Sequence, residues 1–278
     1  MPAIEVPPED RRYFELWQKA AEVAPEESIY EQSLRWNLGH VERGEEYVAA
    51  VRPYIAIAGS RVLDVGSGSG GVCIAFARHG AHCSGVEPNP QRHAWSLVRT
   101  RDHGVQADLR LATLEQAGFA DRSFDIVVAT DVLEHVADYR VPIREMCRIL
   151  APGGVIFATV PNAFHLRNIL SENHTGLFGL VLIPARWRAF YAVKVRRAVK
   201  EYTVGEFPPC HRLVEECNAH GVDTIMPAAF RRLHRPHEIQ QPQLRRLLAN
   251  PFANAAAHRL VSWFALRRTY TFIARRPA

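Results

Sequence analysis

The stretch RVLDVGSGSGG, Arg61 to Gly71, decides how this chain is read. A short apolar run carrying one acid, Asp64, breaks into four glycines and two serines within six residues. Such a run reads as a strand, and the following GGVCIAFARHG reads as a helix. Glycine tolerates positive φ and lets a ligand approach bare backbone. A tight structural turn needs one such residue, not four. Gly66 therefore marks the carboxyl end of a strand, where open α/β sheets bind their ligands.

Outward from this stretch, short β-branched runs alternate with helical ones. AHCSGVEP, FDIVVATD and VIFATVPN read as strands; NPQRHAWSLVRTRDHG and YRVPIREMCRILAPGG read as helices. That alternation predicts a parallel sheet covered on both faces, with right-handed crossovers. Upstream, PEDRRYFELWQKAAEVA and EEYVAAVRPYI read as helices. Downstream, TVGEFPPCHRLVEECNAHG reads as a helix, VDTIM as a strand and TYTFIARRP as the last strand. The expected organisation is an N-terminal helical lid (1–59), a ligand-binding core (60–162), an acceptor-side insert (163–200) and a C-terminal part of the same domain (201–278).

The glycine turn admits two ligand classes. Gly66, Gly68 and Gly71 satisfy G-x-G-x-x-G, the dinucleotide fingerprint, and Glu87 stands 21 residues after Gly66, where an acid accepts ribose hydroxyls in either case. Asp64 weighs against a dinucleotide, because a carboxylate would repel a pyrophosphate seated at the turn. It suits S-adenosylmethionine (SAM), which carries a sulfonium and an ammonium and no phosphate.

Composition fits an ordinary globular chain of 278 residues: 47% apolar and 23% charged. The N-terminus has no secretory pattern and no apolar run is long enough to span a bilayer. Five cysteines without a Cys-x-x-Cys pair argue against a disulfide framework, so the expected location is cytoplasmic, with peripheral membrane contact open. The net charge of +5 is uneven: −5 over residues 1–60, −1 over 61–162 and +11 over 163–278. A basic C-terminal part suits an acidic acceptor or an anionic membrane, or is a solvated surface. Scattered arginines without a recognised module weigh against nucleic acid.

At this point the chain resembles the class I SAM-dependent methyltransferases. VLDVGSGSG is similar to their first motif and GVEPN to their second. LATLEQAGFADRSFDIVVATDVLEHV and RILAPGGVIFATVPN are similar to the stretches that follow. LEHV and PN resemble most the ubiquinone-biosynthesis O-methyltransferases and their small-molecule relatives. The resemblance implies a Rossmann-like, doubly wound α/β sheet of seven strands with the last antiparallel, and SAM as cofactor. It implies that Asp64, Gly66, Ser67, Gly68 and Gly70 line the methionine end of SAM, and that Glu87 holds the ribose with Pro88 beside the adenosine. The acid that usually faces the adenine falls on Thr113, a departure from the family; Leu114 and Glu115 flank the ring. Asp131 ends the fourth strand near the reacting methyl. Arg35 to His40, in RWNLGH, is expected over the site as part of the lid.

Methyl transfer to a hydroxyl needs a base, and His135 and Glu134 follow the fourth strand where one could stand. His165 is a further candidate. A metal held by Glu134, His135 and Asp138 has no diagnostic spacing, so no metal is expected. Phe178, Trp187, Phe190 and Tyr191 lie among Arg186, Arg188, Lys194, Arg196 and Arg197, a composition that suits a greasy or acidic acceptor, a lipid surface or an ordinary amphipathic cap. The expected partner is a small-molecule or lipid-linked acceptor. Transfer to nitrogen or carbon, an NAD-dependent enzyme and a non-catalytic SAM-binding module are the alternatives.

Overall fold

The computed structural model of the chain describes residues 6–20, 30–163, 165–172, 175–197, 202–225 and 269–277, with isolated positions 242, 246, 250 and 253. Residues 227–268 of the basic C-terminal part lie outside the described residues apart from those isolated positions.

Strands β1 (Arg61–Val65), β2 (His82–Val86), β3 (Ala107–Arg110), β4 (Phe124–Thr130), β5 (Leu150–Pro161), β6 (Asp223–Ile225) and β7 (Thr269–Arg275) form one seven-stranded sheet in the order β3-β2-β1-β4-β5-β7-β6. β1 lies parallel to both β2 and β4, so Asp64 stands opposite Gly85 on one side and Val128 on the other. A strand flanked on both edges and covered on both faces must be apolar nearly throughout; Val62, Leu63 and Val65 are all buried. β6 and β7 pair antiparallel, Asp223 opposite Arg275.

The described residues fall into two compact units, one drawn from 1–129 and 148–157, the other from 130–147 and 158–277. In the first, β1 runs through the glycine turn into α4 (Gly71–Arg78), and β2 leads to α5 (Pro90–Asp102). Asn89 caps α5, its side chain accepting from the backbone of Gln91 and Arg92, and Pro90 takes the first helical position, where a missing N–H costs nothing. The N-terminal segment contributes α1 (Arg11–Ala20), α2 (Tyr30–Leu38) and α3 (His40–Val51). Tyr13, Trp17 and Leu34 make a small core there, with Phe14, Leu38 and Trp95 packed against it.

The second unit holds α7 (Leu166–Leu170), α8 (Ala185–Ala189), a π-helical turn over Phe190–Val195 and α9 (Cys210–Ala219); the helix α6 (Arg140–Ile149) begins in it. The sequence predicts one helix from Thr203 to Gly221, but α9 starts only at Cys210. Pro208 and Pro209 are the reason: a residue preceding proline is driven from the helical region, so Val204 to Phe207 run without helix, and Val204 and Phe207 pack with Leu180, Val181, Ala192 and Tyr202. Among the described residues no helix is long and apolar enough to cross a membrane. Cys73, Cys83, Cys147 and Cys217 are free thiols.

Candidate active site

In the first unit the glycine turn is built from left-handed backbone: φ is +68° at Gly66, +52° at Gly68 and +79° at Gly70. The turn is pinned to the sheet by Ser67 N–H donating to Val86 O at 2.9 Å, and closed by Gly70 N–H to Ser67 O at 2.7 Å. Its glycines serve different ends. A Cβ at Gly68 would meet nothing nearer than His40 Cε1 at 3.8 Å, so its bare backbone faces open space. A Cβ at Gly71 would strike His40 Cβ at 2.5 Å and the His40 carbonyl carbon at 2.7 Å, so this glycine seats the start of α3. Gly70 packs closely on α5, where a Cβ would lie 3.2 Å from Ser96 and Thr100.

Glu87 is buried at the end of β2, and its carboxyl reaches back to the turn. Oε2 accepts from Gly68 N–H at 2.9 Å, and Oε1 accepts from Asn89 N–H at 2.9 Å. A carboxylate offers about four lone-pair sites, so Glu87 can order the turn and still accept from vicinal hydroxyls. Pro88 beside it is exposed.

Asp64 behaves differently from the sequence argument. It is buried against α4, where Cys73 Sγ approaches Oδ2 at 3.9 Å. Burial first, then the neighbouring Glu87 charge, push its carboxyl well above the usual range. The negative charge facing the turn is thus that of Glu87. That carboxyl suits ribose hydroxyls, and together with the bare backbone at Gly68 the residues present fit SAM.

In the same unit, Leu114 is buried and Thr113 half-buried after β3. Thr113 and Gln116 brace a turn, Gln116 N–H donating to Thr113 Oγ1 at 3.4 Å. A hydroxyl thus stands at the position where the resemblance would place an acid.

In the second unit, Asp131 follows β4 directly with φ at +54°, a left-handed residue that is not glycine. Strain of this kind costs about 1–3 kcal/mol and persists where surroundings over-determine it. Here Asp131 N–H donates to Thr159 O at 3.1 Å and Thr159 Oγ1 donates to Asp131 Oδ1 at 3.2 Å. Three residues on, neighbouring side chains part ways. Glu134 is fully buried, and neither carboxyl oxygen has a hydrogen-bond partner among the described residues. Burial, reinforced by the Asp131 charge, raises it to about 8, so it is mostly protonated at neutral pH. Its backbone carbonyl accepts from Gly205 N–H at 2.7 Å. His135 is exposed, with Nδ1 3.3 Å from Thr203 Oγ1.

His165 caps α7, its Nδ1 accepting from Arg167 N–H at 3.2 Å, and Asp138 is exposed beside Arg140. Among the described residues no three His, Cys, Asp or Glu side chains are gathered as a metal site requires. The aromatic and basic insert divides. Phe178, Leu182, Trp187, Phe190 and Val195 are exposed, as are Arg186, Lys194, Arg196 and Arg197. Arg188 does not belong with them: it is buried and donates to the carbonyls of Val181, Ile183 and Gly205, clipping the insert together.

A glycine turn at a parallel strand's end, a ribose-competent acid on the next strand and the seven-stranded order define a nucleoside-binding α/β fold of the methyltransferase kind. A family described as "Methyltransferase domain" matches residues 40–225, and the chain belongs to it. Its cofactor is SAM. A ubiquinone biosynthesis O-methyltransferase from Methylobacterium sp. (strain 4-46) is 37% identical over 106 residues, 38% of this chain and 43% of that protein. The chain thus matches less than half the length of that relative. A protein of the same description from Xanthomonas campestris pv. campestris (strain B100) is 28% identical over 212 residues, 76% of this chain and 74% of that one. The fold is shared with a SAM-dependent methyltransferase from Mesorhizobium loti (TM-score 0.54, 17% identity, 85% of this chain and 100% of that one). It is shared also with the magnesium protoporphyrin IX methyltransferase of Synechocystis PCC 6803 with bound SAH (TM-score 0.55, 13% identity, 96% and 95%).

Proposed function

We propose that this protein transfers a methyl group from SAM to a hydroxyl of a hydrophobic small-molecule or lipid-linked acceptor. The observation that carries the reading is the pair after β4: a buried, uncharged Glu134 beside an exposed His135 tied to Thr203. When bound, SAM supplies an electrophilic methyl on its sulfonium. The chain's own residues supply the rest. Glu87 holds the ribose hydroxyls, the backbone of Gly66 to Gly70 accommodates the amino-acid end, and Thr113 and Leu114 border the adenine with Pro88. With His135 Nδ1–H donating to Thr203 Oγ1, Nε2 keeps its lone pair and would take the acceptor hydroxyl's proton as the oxygen gains the methyl and the methyl–sulfur bond of the sulfonium breaks. Relatives described as ubiquinone biosynthesis O-methyltransferases support oxygen as the target.

The exposed aromatics of the insert, set among Arg186, Lys194, Arg196 and Arg197, support an acceptor met at an anionic lipid surface. The test is a screen of phenols and lipid extracts with methyl-labelled SAM. Label recovered as an ether supports the reading; label recovered only on amines overturns the choice of oxygen.

A further inference from the structure

Arg99 lies on α5, fully buried, and every donor of its guanidinium that faces the N-terminal segment is used. Nε donates to Asp10 Oδ1 at 2.6 Å and Nη2 to Asp10 Oδ2 at 2.8 Å, a two-pronged pair. Nη2 also donates to Leu38 O at 3.0 Å, and Nη1 to Asn37 O at 3.3 Å. The guanidinium lies 4.5 Å from the centre of the Tyr13 ring. His103 Nε2 adds a third contact to Asp10, at 2.8 Å from Oδ1. Burial alone would raise the Asp10 carboxyl; the bonds from His103 and Arg99 overcome it and hold it at about 2.

The remaining bond leaves this cluster and enters the glycine turn. Arg99 Nη1 donates to Ser69 Oγ at 3.0 Å, and the same oxygen lies 2.9 Å from His40 Nδ1. His40 in turn stands against Gly68 and Gly71. Replacing a buried ion pair by apolar residues is often neutral for stability, so burial of charge is weak evidence for a merely structural role. What a rigid fork adds is fixed geometry between its ends. One end here is the N-terminal segment, the other the turn.

We propose that Arg99 is a positioning residue for the cofactor turn, acting through Ser69 and His40, so that order in the N-terminal helices and affinity for SAM are coupled. This rests on reading the turn as the SAM cradle. The coupling is reciprocal: whatever the network adds to SAM binding, SAM returns as order in α1 and α2.

The experiment is calorimetric titration of the intact chain with SAM, for wild type, Ser69→Ala and Arg99→Lys, with melting temperatures alongside. Hydrogen exchange of wild type with and without SAM follows the amides of residues 11–20 and 34–38. Ser69→Ala removes the hydroxyl that joins Arg99 to His40 and also meets Tyr13; Arg99→Lys keeps the charge beside Asp10 and loses the fork. The expected result is SAM affinity about tenfold weaker in both variants, the loss of one buried charge-assisted link. Ser69→Ala should keep its melting temperature within a few degrees, and SAM should slow exchange at residues 11–20 in wild type. A structural role alone would lower the melting temperature and leave the affinity of folded protein unchanged. SAM affinity in Ser69→Ala within twofold of wild type, or no protection of residues 11–20 by SAM, overturns the proposal while leaving the cofactor reading intact. A wild-type chain that binds no SAM overturns both. Should Arg99→Lys fail to fold, Ser69→Ala and the exchange data decide.

Discussion

Gly68→Ala separates what the turn does for the fold from what it does for the ligand. Two costs are visible in the structure. The first is conformational: φ of +52° places an alanine in the left-handed region, worth about 1–2 kcal/mol. The second would be steric, and within the protein it is absent, since the new methyl meets nothing closer than 3.8 Å. Stability should therefore fall by only about 1–2 kcal/mol. The open space is where the ligand must approach, and a methyl forced into a packed contact costs about 1–3 kcal/mol. SAM affinity should accordingly weaken by about 10- to 100-fold in a folded protein. Gly71→Ala is the contrast. Its methyl would lie 2.5 Å from His40 Cβ and 2.7 Å from a backbone carbon, so α3 must shift and stability should suffer more than in Gly68→Ala. Urea unfolding and calorimetry on the two variants give both quantities. Wild-type SAM affinity in Gly68→Ala would refute the assignment of this turn to the cofactor.

Glu87→Ala should lose about 1–3 kcal/mol of SAM binding by calorimetry, because a carboxyl that both orders the turn and accepts ribose hydroxyls is gone; unchanged affinity removes Glu87 from the site. Glu134 carries a pH signature. Its folded value of about 8 lies above the ordinary 4.5, so its contribution to stability is fully present below pH 4.5 and is lost as pH rises through 8, by roughly 5 kcal/mol over that window. Urea unfolding between pH 4.5 and 8.5 should show Glu134→Gln gaining on wild type as pH rises, and parallel curves would contradict the burial assigned to this carboxyl. His135→Ala should lower turnover by about 10²–10⁴ with SAM affinity nearly unchanged, as loss of a general base does; normal turnover on a hydroxyl acceptor would mean that positioning alone carries the reaction.

The sheet was legible in the sequence because its signals are local. A β-branched run ending in glycines, an Asn-Pro helix start at 89–90 and the alternation between them each specify their own backbone. The left-handed backbone of the turn was legible for the same reason, but the bond from Gly68 N–H to Glu87 was not. The part Asp64 plays was not. Its sequence position places it beside the turn, but strand alternation and two flanking strands carry its side chain into the core beside Cys73, where charge is suppressed. Glu134 and His135 show the same limit: adjacent in sequence, they separate into a buried and an exposed group, and periodicity at a strand's end does not settle which is which. Arg188 reads as one more base of the insert, and nothing in the sequence singles out Arg99. Only tertiary structure reveals the three carbonyls that Arg188 serves and the Asp10 carboxyl, 89 residues distant, that Arg99 meets. His40 against Gly71 has one sequence signal, the fourth glycine, which the turn itself did not need.

The central claim is that this glycine turn, with Glu87, holds SAM and not a dinucleotide. Parallel calorimetric titrations of the intact chain with SAM, its demethylated product SAH and NAD test it most directly. The account predicts micromolar dissociation constants for SAM and SAH, weakened about 10- to 100-fold by Glu87→Ala, with NAD bound at least about a hundredfold more weakly. NAD bound more tightly than SAM would contradict it.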